Sequence, residues 1–143
     1  MGVWDVGPFD NDTAADWCGD HHDATPAQRT VLLRNALTAV LDNGDDYLDS
    51  ELAFEAIAAA AIIASQLPAG VKVTSAYAPD FLLKGGNLDV PDDLPALAAQ
   101  ALDRVGADDS EWRELWEESN SYAPALAELE RIKAAVRAAM EDR

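Results

Sequence analysis

The sequence predicts an all-α protein, a single-domain bundle of about five or six helices with an irregular N-terminal segment and one long connector. Three observations carry that reading. Apolar residues recur at three- and four-residue spacing through most of the chain, the period of an amphipathic helix. Clusters of Asp, Asn, Ser, Thr, Gly and Pro divide these stretches where helix caps belong. Only residues 71–79, VKVTSAYAP, look strand-like. At 143 residues one domain is the natural size, so residues 1–143 are read as a single helical domain with its own core.

Each element follows from local chemistry. Residues 1–8 hold two glycines and a proline and are expected to be irregular. Asp10, Asn11, Asp12 and Thr13 are N-cap candidates for a short helix over AADWCGDHHDA, where their carboxylates suit the positive end of the helix dipole. Thr25 then caps and Pro26 occupies the first turn of AQRTVLLRNALTAVLDN, which Asn43 and Gly44 end. Asp49 or Ser50 opens ELAFEAIAAAAIIASQL, stopped by Pro68 and Gly70. From Ala56 to Ala64 that helix is apolar all round, which predicts the most enclosed position, its alanines letting neighbours approach closely.

Residues 70–89 form the long connector, expected to cross the helices and touch them through Tyr77, Phe81, Leu82 and Leu83. Pro91, Asp92 and Asp93 open LPALAAQALDRV, closed by Gly106. Ser110 opens a short helix carrying Trp112 and Trp116, and Asn120–Ser121 breaks the path before the last helix, with Pro124 in its first turn. Four of the chain's ten cations lie here, Arg131, Lys133, Arg137 and Arg143, and Arg113 just upstream makes half. They are expected to pair with nearby acidic faces.

Charge and cysteine content exclude whole classes of function. The net charge is −17, from 27 acidic and 10 basic residues. Such a chain will not track a nucleic-acid backbone by counterion release, nor lie on an anionic membrane. Cys18, alone, allows neither an internal disulfide nor a cysteine-based zinc site. Ala56 to Ala64 is about half the apolar length needed to span a bilayer, and the opening residues lack a signal peptide's basic and apolar regions. A cytoplasmic location is the expectation.

Three constellations could carry chemistry. Asp12, Asp16 and Asp20 stand four apart and share a helix face beside His21 and His22, a donor set able to hold a divalent cation. Caps, a solvated face and a frayed helix end explain the same residues. Residues 42–55 resemble a calcium loop, but Gly44 and Ala53 stand where that loop needs ligands, so a polar turn and a capped helix are expected. Trp4, Phe9 and Trp17 are aromatics that could order the N-terminus by packing on the bundle. No nucleophile elbow or phosphate-binding glycine loop is present, so no catalytic residue and no cofactor is assigned.

The run Met1-Gly2-Val3-Trp4, followed by Gly7-Pro8-Phe9-Asp10-Asn11-Asp12-Thr13-Ala14-Ala15-Asp16-Trp17, resembles the opening of the bacterial DUF4259 family, small proteins of unknown function. Lower-specificity likeness extends through Tyr47-Leu48-Asp49, Ala56 to Ala64, Ala101-Leu102-Asp103-Arg104-Val105 and Glu114-Leu115-Trp116. Asp5 stands where the family usually has glycine. The resemblance implies one domain and names no reaction. Its hallmark run singles out Trp4, Phe9, Asp10, Asn11, Asp12, Asp16 and Trp17 as binding-site candidates.

Three readings of function stand at this point. The first is a non-catalytic interaction or accessory domain whose acidic surface meets a basic protein. The second is a divalent-cation-binding protein or metal-dependent enzyme using Asp12, Asp16, Asp20, His21 and His22. A nucleic-acid mimic is a third, and it would need its carboxylates in a phosphate-like line.

Overall fold

Local capping decides where the chain turns into helix. In the computed structural model, which describes residues 12–19, 25–44, 46–67, 90–91, 93–119 and 121–141, Thr25 and Gln28 form a reciprocal capping box. The Thr25 hydroxyl accepts from the Gln28 amide at 3.2 Å, and the Gln28 side chain accepts from the Thr25 amide at 2.9 Å. Helix α2 (Pro26–Asp42) follows, and Gly44 turns the chain at φ +62°, the left-handed region that glycine enters without strain. Asp49 caps α3 (Ser50–Ser65) through its carboxylate, which accepts from the Glu51 amide at 2.8 Å. Before these lies α1 (Asp12–Gly19). After them come α4 (Leu94–Val105), α5 (Glu111–Glu117) and α6 (Tyr122–Glu141).

The described residues form an all-α bundle of six helices, with one isolated parallel bridge between Leu48 and Ser110. Helix α3 is its axis. Ala53, Phe54 and every residue from Ala56 to Ala64 are buried, the all-round enclosure that its composition predicts. Around it pack α1, α2, α4, α5 and α6, with α4 also lying against α2 and α6. Leu33, Leu37 and Val40 of α2, Leu94, Ala98 and Leu102 of α4, and Leu129, Ile132 and Val136 of α6 complete the core.

Some predicted details differ. Helix α3 stops at Ser65, short of the expected Leu67. Asp93 precedes α4, but its carboxylate makes no cap bond; it forms a two-point pair with Arg34 of α2, one contact at 3.1 Å. Ser110 precedes α5 and its hydroxyl also makes no cap bond; the residue is fully buried, and its place in the chain is held by the bridge to Leu48. Gly106 closes α4 without left-handed backbone (φ −84°). A Cβ there would stand 3.2 Å from a methyl of Leu129, so the glycine serves the close approach of α6. The expected irregular N-terminus and the connector over residues 70–89 lie outside the described residues.

Candidate functional site

Of the site candidates, Trp17 is 7% exposed and belongs to the core with Ala14, while Asp16 on the same helix is exposed. Since α1 packs against α3, Trp17 ties the N-terminal signature to the axis of the bundle. Asp12 opens α1, and its side chain is outside the description. Trp4, Phe9, Asp10, Asn11, Asp20, His21 and His22 also lie outside the described residues. Among the described residues, no group of three His, Cys, Asp or Glu side chains is placed to hold a metal ion.

A different constellation is assembled at one end of the bundle, where the turn after α2 meets the turn after α4. Arg104, at the end of α4, donates to four backbone carbonyls. Its Nε reaches Gly44 O at 3.3 Å and its Nη2 reaches Asp46 O at 2.7 Å. Asp108 O and Asp109 O accept at 3.2 Å each. A planar guanidinium with five donors can span two loops in this way, which an ammonium cannot. The backbone completes the join: Leu48 N donates to Asp109 O at 2.8 Å and Glu111 N to Leu48 O at 2.9 Å. Asp109 adopts φ +61°, left-handed backbone uncommon for a non-glycine residue and here held by these bonds.

Carboxylates of α5 add a second layer. Glu111 Oε1 accepts from Ser50 N at 2.8 Å, satisfying an orphan amide at the start of α3. That bond holds the Glu111 carboxyl below its ordinary pKa. The Tyr47 hydroxyl donates to Glu114 Oε2 at 2.5 Å. This bond, desolvation and the charges of Glu114, Glu111 and Glu118 push the phenol up to about 12, so it keeps its proton at neutral pH. Tyr47 nonetheless stays 49% exposed and is the exposed aromatic among the described residues. Arg113, close by, pairs with Glu117 at 2.7 Å and Asp108 at 3.5 Å and donates to Gly106 O at 3.1 Å.

Sequence reading missed this junction as a site. The segments were visible, since Tyr47-Leu48-Asp49, Asp103-Arg104 and Glu114-Leu115-Trp116 all fall within the residues that carry the family likeness. Their convergence was not visible, because Arg104 lies about 60 residues from the carbonyls of its first loop. The 42–55 acidic stretch is a polar turn and a capped helix, as expected: Asn43 Nδ2 donates to Asp46 O at 2.8 Å, and Asp49 caps α3.

The described cations of the last helix pair as the sequence suggests, while Arg143 lies outside the described residues. Lys133 reaches Asp103 at 3.0 Å and Glu130 at 3.1 Å, Arg137 reaches Asp103 at 3.0 Å, and Arg131 reaches Glu128 at 2.5 Å. No described helix is long and apolar enough to cross a membrane. No curated protein and no solved structure matches the chain. The profile of one family does match, over residues 2–128, which takes in both loops of the junction and the bundle as far as the start of α6. The chain therefore belongs to the DUF4259 family, a domain of unknown function.

Proposed function

We propose that this domain is a cytoplasmic, non-catalytic interaction or accessory module that presents an acidic surface to a basic protein partner. One observation carries the reading: among the described residues, six of the chain's cations are engaged internally. Arg34, Arg113, Arg131, Lys133 and Arg137 each meet a carboxylate of the same chain, and Arg104 is bound to backbone carbonyls. With 27 acidic residues against 10 basic, most of the acid has no basic side chain to neutralise it, and the net −17 is available to a partner's field. Such a field raises association rate and selects partners by sign more than it adds affinity. The same field disfavours nucleic acid and anionic membranes.

Affinity capture from native lysate tests this at low salt and again near physiological salt. A basic protein retained in both washes is the expected result, with binding faster at low salt. Recovery of no specific protein under either condition would overturn the reading.

A further inference from the structure

The exposed aromatic at the loop junction is held more firmly than a solvent-facing side chain needs to be. Tyr47 sits between two pinned residues. Asp46 O accepts from both Arg104 Nη2 and Asn43 Nδ2, at 2.7 and 2.8 Å, while Leu48 bonds through its amide and its carbonyl to the opposite loop. The phenol is fixed at its far end by Glu114. Backbone and hydroxyl are thus immobilised, yet about half of the residue's surface remains in solvent. Docking on a surface already ordered loses little side-chain entropy, and rigid aromatics are the residues that anchor interfaces.

The surroundings select the chemistry of what docks. Glu114 bonds the phenol, and Glu118 stands one helical turn further on, its amide donating to Glu114 O at 3.1 Å. Glu114 and Glu118 are exposed, whereas Glu111 is engaged at the start of α3. Of the described cations at the junction, Arg104 is taken by four backbone carbonyls, and Arg113 by Glu117, Asp108 and the Gly106 carbonyl. An aromatic face beside two solvent-facing carboxylates attracts a cation twice, through the ring quadrupole and through charge. It repels an anion, and it offers too little apolar area for a hydrophobic helix.

We propose that Tyr47, Glu114 and Glu118 form the seat for an arginine or lysine side chain of the basic partner, with Tyr47 as its aromatic face. This deepens the acidic-module reading and rests on it. The seat occupies one end of the bundle, and Arg104 acts as a positioning residue that holds the Tyr47 loop in place.

The test uses the full chain and a fluorescein-labelled peptide of arginines spaced by Gly-Ser, titrated by anisotropy at low salt. The wild type is compared with Glu114→Gln/Glu118→Gln, with Tyr47→Leu and Tyr47→Phe, and with a control pair, Asp93→Asn/Glu130→Gln, which removes the same charge at the far end of α4 and on α6. The Glu114/Glu118 pair should weaken binding about three- to tenfold and the control pair less than about twofold. Tyr47→Leu should weaken it about two- to fivefold, while Tyr47→Phe keeps the ring and stays near wild type. In NMR titration the Tyr47 ring and the Glu114 amide should move first. Equal effects of the two acidic pairs, or shifts centred elsewhere, would overturn the seat and leave the acidic module standing. A wild type that does not bind the peptide would overturn both.

Discussion

Arg104 is half-buried and donates to four carbonyls, two from each of two loops. Removing it leaves Asp46 O with only the Asn43 side chain, Asp109 O with only the Leu48 amide, and Gly44 O and Asp108 O to water, so Arg104→Ala should cost about 1–3 kcal/mol. Arg104→Lys should recover less than half of that, since three donors on one nitrogen cannot span both loops. Urea unfolding checks this as a shift in midpoint at constant slope; a Lys variant equal to wild type would show that charge alone, not the planar fork, holds the junction. Glu111 gives a prediction in pH. Its carboxyl is depressed in the folded chain by the Ser50 amide, so its stabilisation is complete above the unfolded carboxylate value. It is lost as pH falls through the lower folded value. Glu111→Gln keeps an acceptor oxygen and removes the titration. The acid limb of its stability curve should be shallower than that of the wild type, and identical limbs would show that the Ser50 contact does not persist in solution.

Helices were legible because their signals are local. Thr25 and Asp49 cap as predicted, Gly44 supplies the left-handed turn, and the alanine-rich stretch of α3 is enclosed. Where a residue has a distant use, local reading fails. Asp93 and Ser110 stand at cap positions, but Arg34, 59 residues earlier, takes the carboxylate of the first. The second is buried, its place held by the bridge to Leu48. The junction site was hidden for the same reason, because Tyr47 and Glu114 are 67 residues apart and no spacing rule joins them. Helix α3 offers the sharpest test at this scale. Ala58, Ala59 and Ala60 are each 0% exposed, so neighbouring helices leave no room for larger side chains. Ala60→Leu should destabilise by about 1–3 kcal/mol through overpacking, despite leucine's good helix propensity. A thermal midpoint equal to or above that of the wild type would mean that α3 is not the tightly enclosed axis described.

At the scale of the whole molecule, the −17 acts on stability as well as on partners. Its ion pairs are mostly exposed or partly exposed, as at Arg137–Asp103 and Arg113–Glu117, and pairs of that kind contribute about 0–1 kcal/mol each. Self-repulsion works the other way. Folding brings the acids of the described helices and turns onto one small surface, whereas the unfolded chain spreads them apart. Salt therefore has two opposing effects: it weakens a few local attractions and screens a large excess of like charge. At about 0.01 M the screening length is about 30 Å, enough for charges across the bundle to feel one another, and at 0.1 M it falls to about 10 Å. The long-range repulsion is thus screened first, while pairs at 2.7–3.5 Å are hardly affected. Raising NaCl from about 0.01 M to about 0.2 M should raise the thermal midpoint, with most of the gain below 0.1 M. A midpoint that falls over this range would mean that the internal pairs outweigh the excess acid. The premise that the acidic surface is left for a partner would then fail with it.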